Sequence, residues 1–122
     1  MTPAALRRCC LALTGAVEEF PFGPENSVFK VEGKIFAITA LDSQPLTVSV
    51  KCEPALAEQL RAEHPAIAPG YHLDKRHWNT IQLDGSLDDA MLRELVQDSY
   101  DLVVASLPRA TRDALGWTGD RG

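Results

Sequence analysis

The sequence predicts an α+β fold, with one antiparallel sheet packed on helices that cover one of its faces. Three observations predict it. Residues 28–31 and 46–51 alternate apolar and polar side chains, and residues 34–39 are a strand-length segment placed to pair with the first. Residues 2–20, 53–64 and 86–107 instead repeat apolar side chains every three or four positions, as helices do. The order is helix, three strands, helix, one or two strands, helix. At 122 residues, one domain spanning 1–122 is expected. A chain of that size buries enough surface to need no disulfide or metal staple.

The first helix begins at Thr2, a capping residue, followed by Pro3, whose missing N–H costs nothing in a first turn. Leu6, Cys10, Leu13 and Val17 form its apolar stripe, weakened locally by Gly15. Pro21 sets its end near Phe20. Residues 21–26 are a turn-rich loop with two aromatics at its entrance. Residues 28–31 and 34–39 then form a hairpin around Glu32-Gly33. Residues 46–51 follow, with Leu46, Val48 and Val50 on one face and Thr47, Ser49 and Lys51 on the other.

A second helix starts at Glu53-Pro54, buries Leu56, Ala57 and Leu60, and stops before Pro65. Residues 65–70, with two prolines and a glycine, read as a loop, and residues 71–83 as one or two short strands. Ser86 and Asp89 have the spacing of a capping box at the start of the last long helix. Its stripe is Leu92, Leu95, Val96, Leu102 and Val103, and Pro108 ends it. Residues 109–115 suit a last short helix, and residues 117–122 a frayed end.

Composition narrows the function. The chain is 45% hydrophobic and 24% charged, as in soluble globular proteins, and its net charge of −5 argues against a generic nucleic-acid coat. The acidity is uneven. Residues 1–83 carry 8 basic and 9 acidic side chains, and residues 84–122 carry 4 and 8. A local basic face is therefore compatible with the total. No apolar run reaches transmembrane length and the N-terminus has no signal-peptide h-region, so no membrane association is expected. Cys9, Cys10 and Cys52 make a poor disulfide framework. Reduced, buried thiols and a cytoplasmic location are expected.

One segment differs from the rest. Gly70-Tyr71-His72-Leu73-Asp74-Lys75-Arg76-His77-Trp78-Asn79-Thr80 interleaves aromatics, histidines and cations. That mixture suits contact with a phosphate backbone and exposed base faces. Lys75 and Arg76 would supply charge, Tyr71 or Trp78 a stacking surface, and His72 and His77 donors to phosphate. Lys51 could join from its strand. A tryptophan such as Trp78 is more often a core or sheet-edge anchor than a stacking platform, Lys75 and Arg76 also suit the polar tip of a hairpin, and Asn79 suits capping a turn.

Other chemistries find less support. His64, His72, His77 and Cys52 match no metal-site spacing, and no metal or other cofactor is expected. The acidic residues after Leu83 read as a solvated helix face. Ser43, Ser49 and Ser86 lack a nucleophile-elbow motif, and no phosphate-cradling glycine loop is present. A Cys52 nucleophile with His72 or His77 as base lacks an orienting third group. No enzymatic activity is expected.

Phe20-Pro21-Phe22-Gly23-Pro24, residues 28–31 and 33–37, the run Lys75-Arg76-His77-Trp78-Asn79-Thr80, and Ser99-Tyr100-Asp101-Leu102-Val103 resemble the MmcQ/YjbR-like family of small bacterial proteins. The resemblance spans residues 6–108. It implies a frataxin-like (CyaY-like) two-layer sandwich and DNA binding through a pair of β-wings. Iron binding of the frataxin kind is not implied, because the first helix offers only Glu18 and Glu19 beside Arg7 and Arg8. The expected function is non-enzymatic DNA binding through Lys51, Tyr71, His72, Lys75, Arg76, His77, Trp78 and Asn79. The alternative is a binding module for a protein or a small anionic ligand, using the same segment as a pocket wall. The sequence does not determine the oligomeric state.

Overall fold

A computed structural model describes residues 1–119. Helix α1 spans Pro3–Leu11, with the Thr2 hydroxyl accepting the Ala5 N–H at 3.1 Å. It is shorter than its apolar repeat predicts. Gly15 takes φ +76°, a left-handed turn that few other residues adopt, and the chain continues as strand β1, Ala16–Glu19. Leu13 still packs against the core from the turn before the strand, but Val17, expected on the buried stripe, is 47% exposed on β1.

Strand β2 (Ser27–Val31) and strand β3 (Lys34–Thr39) form the predicted hairpin. Glu32 and Gly33 both have positive φ, the type I′ geometry that matches strand twist. Strand β4 (Thr47–Lys51) follows, then helix α2 (Pro54–Glu63). The 65–70 stretch expected to be a loop contains strand β5 (Ile67–Pro69). Within the 71–83 stretch only strand β6 (Trp78–Gln82) is extended, and residues 71–77 are its incoming loop. Pairing with β6 decides β5, a long-range contact that local composition does not encode.

Helix α3 spans Asp89–Ala105. Its cap is Asp88, whose carboxylate accepts the Met91 N–H at 2.8 Å. Ser86, the predicted cap, instead bonds Asp84 in the preceding turn. Leu92, Leu95, Val96 and Val103 are buried as predicted, but Leu102 is 37% exposed, and Ser99, Tyr100 and Val104 take the remaining core positions. Helix α4 spans Arg109–Ala114. Trp117, expected in a frayed end, is anchored: its Nε1 donates to Asp101 at 3.0 Å. Residues 120–122 of that expectation lie outside the described residues.

The sheet order is β1-β2-β3-β4-β6-β5, with every neighbour antiparallel. Register sets the faces. Phe29, Ala37, Val50 and Asn79 lie in one row across the sheet, and Val48 and Ile81 in the next. This face meets Leu6, Cys10, Ala57, Leu60, Leu95, Val96 and Val103 of the helices. Phe36 joins it through an irregularity in the β2–β3 ladder and packs edge-on against Tyr100, centroids 5.6 Å apart. Burial raises the Tyr100 phenol above its usual value, and its hydroxyl donates to the Thr14 carbonyl at 2.7 Å.

One buried hydroxyl ties the two layers. The β3–β4 pairing ends at Ala37 and Val50, so the next rung would join Phe36 and Lys51. The fully buried Ser99 side chain of α3 occupies that place. Its Oγ accepts the Lys51 N–H at 2.8 Å and donates to the Phe36 carbonyl at 2.6 Å. Among the described residues, no helix is long and apolar enough to cross a membrane.

Candidate functional site

Strand alternation turns Ile38, Thr47, Ser49, Lys51, Ala68, Trp78 and Thr80 to the face opposite the core. This face forms the floor of a groove of about 830 Å³. Its walls are loops from opposite edges of the sheet. The β1–β2 loop, 20–26, contributes Phe22 and Asn26, and the β5–β6 loop, 70–77, contributes Tyr71, His72 and Leu73. Phe22 and Tyr71 are 61% and 73% exposed, unusual for large aromatic side chains.

The floor is hydroxylic at its centre. Ser49 Oγ and Thr80 Oγ1 lie 2.8 Å apart, and Thr80 Oγ1 also accepts the Tyr71 N–H at 3.0 Å. Whichever hydroxyl donates to the other, one hydroxyl hydrogen of the pair stays available. The Tyr71 and His72 rings sit side by side, centroids 4.0 Å apart and tilted by 50°. His72 has φ +58°, a region that histidine enters more readily than most residues and that is over-represented at functional sites.

Asp74 organises the rest of the loop. Its carboxylate accepts the Arg76 N–H at 3.0 Å. It also accepts from His77 Nδ1 at 2.8 Å, the ring nitrogen being the donor because a carboxylate only accepts. The His77 bond first, and then the Arg76 bond, hold the Asp74 carboxyl below its usual value. A carboxyl with a lowered folded pKa favours the folded turn at neutral pH, and that contribution is lost as pH falls from the ordinary carboxylate range through the lower folded value. The Arg76 and His77 amide resonances are therefore expected to shift together on acidification over that window. An NMR titration checks this, and the Asp74→Asn variant should abolish the transition.

The structure divides the predicted residues into groups. Tyr71 and His72 line the groove. Lys75 and Arg76 are exposed in the same loop but do not line the groove. Lys75 Nζ reaches the Gly70 carbonyl at 3.2 Å, and Arg61 of α2 donates to the Lys75 carbonyl at 2.7 Å. Arg61 thus adds a third guanidinium or ammonium group near that loop. Lys51 and Trp78 are register partners and half-buried. His77 is turned to Asp74, and neither it nor Trp78 lines the groove.

Asn79 leaves the site. It is 1% exposed, points to the helix side of the sheet, and donates to the Ala57 carbonyl at 3.4 Å. Alternation forces this: with Trp78 and Thr80 on the open face, Asn79 must take the other. Cys52 is also on the core side, and burial, reinforced by Asp98 and Glu53, raises its thiol above the usual value. The other thiols behave alike. Burial, with Cys9 and Glu18 nearby, pushes Cys10 up to about 12.

Phe22 and Ser49 are among the groove residues that the sequence did not single out, while Thr80 closes the segment that it did. The signal for Phe22 and Ser49 was present only indirectly, in the polar alternation of β4 and in the aromatic pair flanking Pro21. A second hollow, about 360 Å³, lies on the helix side and is lined by Glu53, Asp98 and Asp101 among others. Among the described residues, no group of three or more His, Cys, Asp or Glu side chains is placed to hold a metal ion.

Comparison with known proteins places this arrangement in a family. The YjbR family model matches residues 11–102. Protein YjbR of Escherichia coli (strain K12) is 39% identical over 116 residues, covering 94% of this chain and 98% of its own. Protein YbdF of Escherichia coli O157:H7 is 38% identical over 91 residues, 74% of each chain. The crystal structure of Deinococcus radiodurans protein DR2400, a DUF419 domain, superposes with a TM-score of 0.91 at 41% identity, over 98% of this chain and 91% of that one. A Pseudomonas syringae protein of 24% identity shares the fold, with a TM-score of 0.73 over 84% of this chain and 98% of that one. The loop residues 70–77 and the groove they wall thus lie within the matched region, and the chain belongs to the YjbR family.

Proposed function

We propose that this protein binds DNA without catalysing a reaction on it, through the 70–77 loop and the open face of the sheet. One observation carries the reading. The loop whose Tyr71 and His72 wall the groove, opposite Phe22, also carries the exposed Lys75 and Arg76, and among the described residues no carboxylate lines the groove. Cations position a phosphate backbone, and aromatic faces accept bases. Lys51, on the same face, adds a further cation. The sheet covered on one side by helices is in keeping with a frataxin-like sandwich, and the two wall loops with a pair of wings. The free thiols at Cys9, Cys10 and Cys52 suit the reducing cytoplasm.

With few cations and a net charge of −5, affinity should be modest and strongly salt-dependent. The test is a titration of fluorescently labelled DNA at several salt concentrations. The Lys75→Ala/Arg76→Ala double variant is expected to flatten the slope of log K against log salt by ~1–2, since each neutralised phosphate contributes about 0.9 in duplex DNA. Absence of binding at low salt, or a slope indifferent to the double substitution, would overturn the reading.

A further inference from the structure

We propose that the groove is a base-stacking site for single-stranded DNA, and that unpaired strands are the preferred ligand. The inference rests on the DNA-binding reading and specifies its substrate.

Four features lead to it. First, the aromatic walls are exposed and unpaired with the core: Phe22 and Tyr71 are two of the most exposed large apolar side chains in the described chain. Second, they sit above a recessed floor. The walls rise from opposite sheet edges, and the floor between them crosses β3, β4 and β6. From β2 to β6 there are three strand spacings, ~14 Å at about 4.8 Å each. That is room for about three or four stacked bases at ~3.4 Å per nucleotide. A duplex hides its base faces in its own stack and presents only edges. Only splayed bases reach such a floor.

Third, no carboxylate opposes a phosphate backbone there. Among the described residues neither an Asp or Glu nor a Lys or Arg lines the groove, while the helix-side hollow has three carboxylates. The cations lie outside the lining: Lys75 and Arg76 are exposed in the loop that forms one wall, and Lys51 is on the same sheet face. Three cations would hold a duplex weakly, so a strand that adds stacking gains the larger share of its affinity from the walls. Fourth, the floor offers groups that tolerate any base. The Ser49–Thr80 hydroxyl pair leaves one hydrogen free and retains lone pairs, so it serves either a donor or an acceptor on a base edge. Sequence preference should accordingly be slight.

The experiment is fluorescence anisotropy with a labelled oligothymidylate of about 12 nucleotides, within the ~4–16 nucleotides typical of such sites. A duplex of equal length is the comparison. The variants are Phe22→Ala, Tyr71→Ala, Tyr71→Phe and Lys75→Ala/Arg76→Ala. Phe22 and Tyr71 are exposed, so their replacement should leave folding intact, and far-UV circular dichroism verifies it. The single strand should bind more tightly than the duplex. Phe22→Ala and Tyr71→Ala should each weaken it by about 5- to 100-fold, with Tyr71→Phe close to the parent. Tyrosine fluorescence quenched on binding, and lost in Tyr71→Phe, would place a base on that ring. Duplex binding equal to single-strand binding, with both alanine variants unchanged and the Lys75/Arg76 variant weakened, would overturn the stacking site and leave the DNA-binding reading standing. Failure of both DNA forms to bind would overturn both.

Discussion

Replacing Ser99 by alanine is expected to destabilise the fold by ~2–4 kcal/mol, far beyond the loss of one surface hydroxyl. The hydroxyl bridges the Lys51 N–H and the Phe36 carbonyl where the β3–β4 ladder ends. Its removal leaves a donor and an acceptor unpaired in a place closed to water, since Ser99 and Phe36 are both 0% exposed. Each such orphan costs about 1–3 kcal/mol. Direct closure of the rung would require β4 to move toward β3 under the weight of helix α3. Urea denaturation should show a lower midpoint with an unchanged m-value. Ser106→Ala is the control. Ser106 is exposed; its hydroxyl donates to the Val103 carbonyl and accepts from the solvent-facing Lys34 ammonium at 3.3 Å, contacts that water replaces, so the expected change is within ~0.5 kcal/mol. A Ser99→Ala loss no larger than the control would refute the bridging role.

The second large effect is Gly70→Ala. A Cβ at Gly70 would lie 2.7 Å from Trp78 Cβ, 3.0 Å from the Trp78 carbonyl oxygen and 3.2 Å from Leu73 Cβ. None of these atoms can swing away by a rotamer change. The backbone must yield, and the Gly70 N–H bond to that Trp78 carbonyl, 2.8 Å long, yields with it. Overpacking of this kind costs ~1–3 kcal/mol. The damage should also reach the groove, because Tyr71 follows directly and its N–H is pinned to Thr80. The expected result is a lowered denaturation midpoint, shifted amide resonances across 70–80, and weaker single-strand binding. A folded variant with parent-like resonances in that segment would show that the hairpin has slack the structure does not reveal.

Some of the fold was legible because local rules and tertiary needs agreed. Thr2-Pro3 at α1, Glu32-Gly33 at the hairpin, the alternation of β4 and Pro54 at α2 each pointed one way. Residues 12–20 misled because the spacing of Leu13 and Val17 continues the helix stripe, whereas the left-handed Gly15 ends the helical path and leaves Val17 exposed on an edge strand. Ser86 and Asp88 both offered capping oxygens, and the turn that Asp84 makes with Ser86 removed the first from contention.

The site was legible as a segment but not as a surface. The sequence by itself determined an α+β chain, the order of most elements, and the unusual density of cations and aromatics at 71–78. Tertiary structure decided which of those side chains share a face. The reason is the period of two in a strand. A single register choice sends Asn79 into the core and leaves Trp78 and Thr80 outside. The same pairing brings Phe22, from the other end of the sheet order, to the groove that Tyr71 walls. The net charge of −5 was fixed by composition, but a groove that no Asp, Glu, Lys or Arg lines among the described residues exists only because folding places the charged side chains elsewhere.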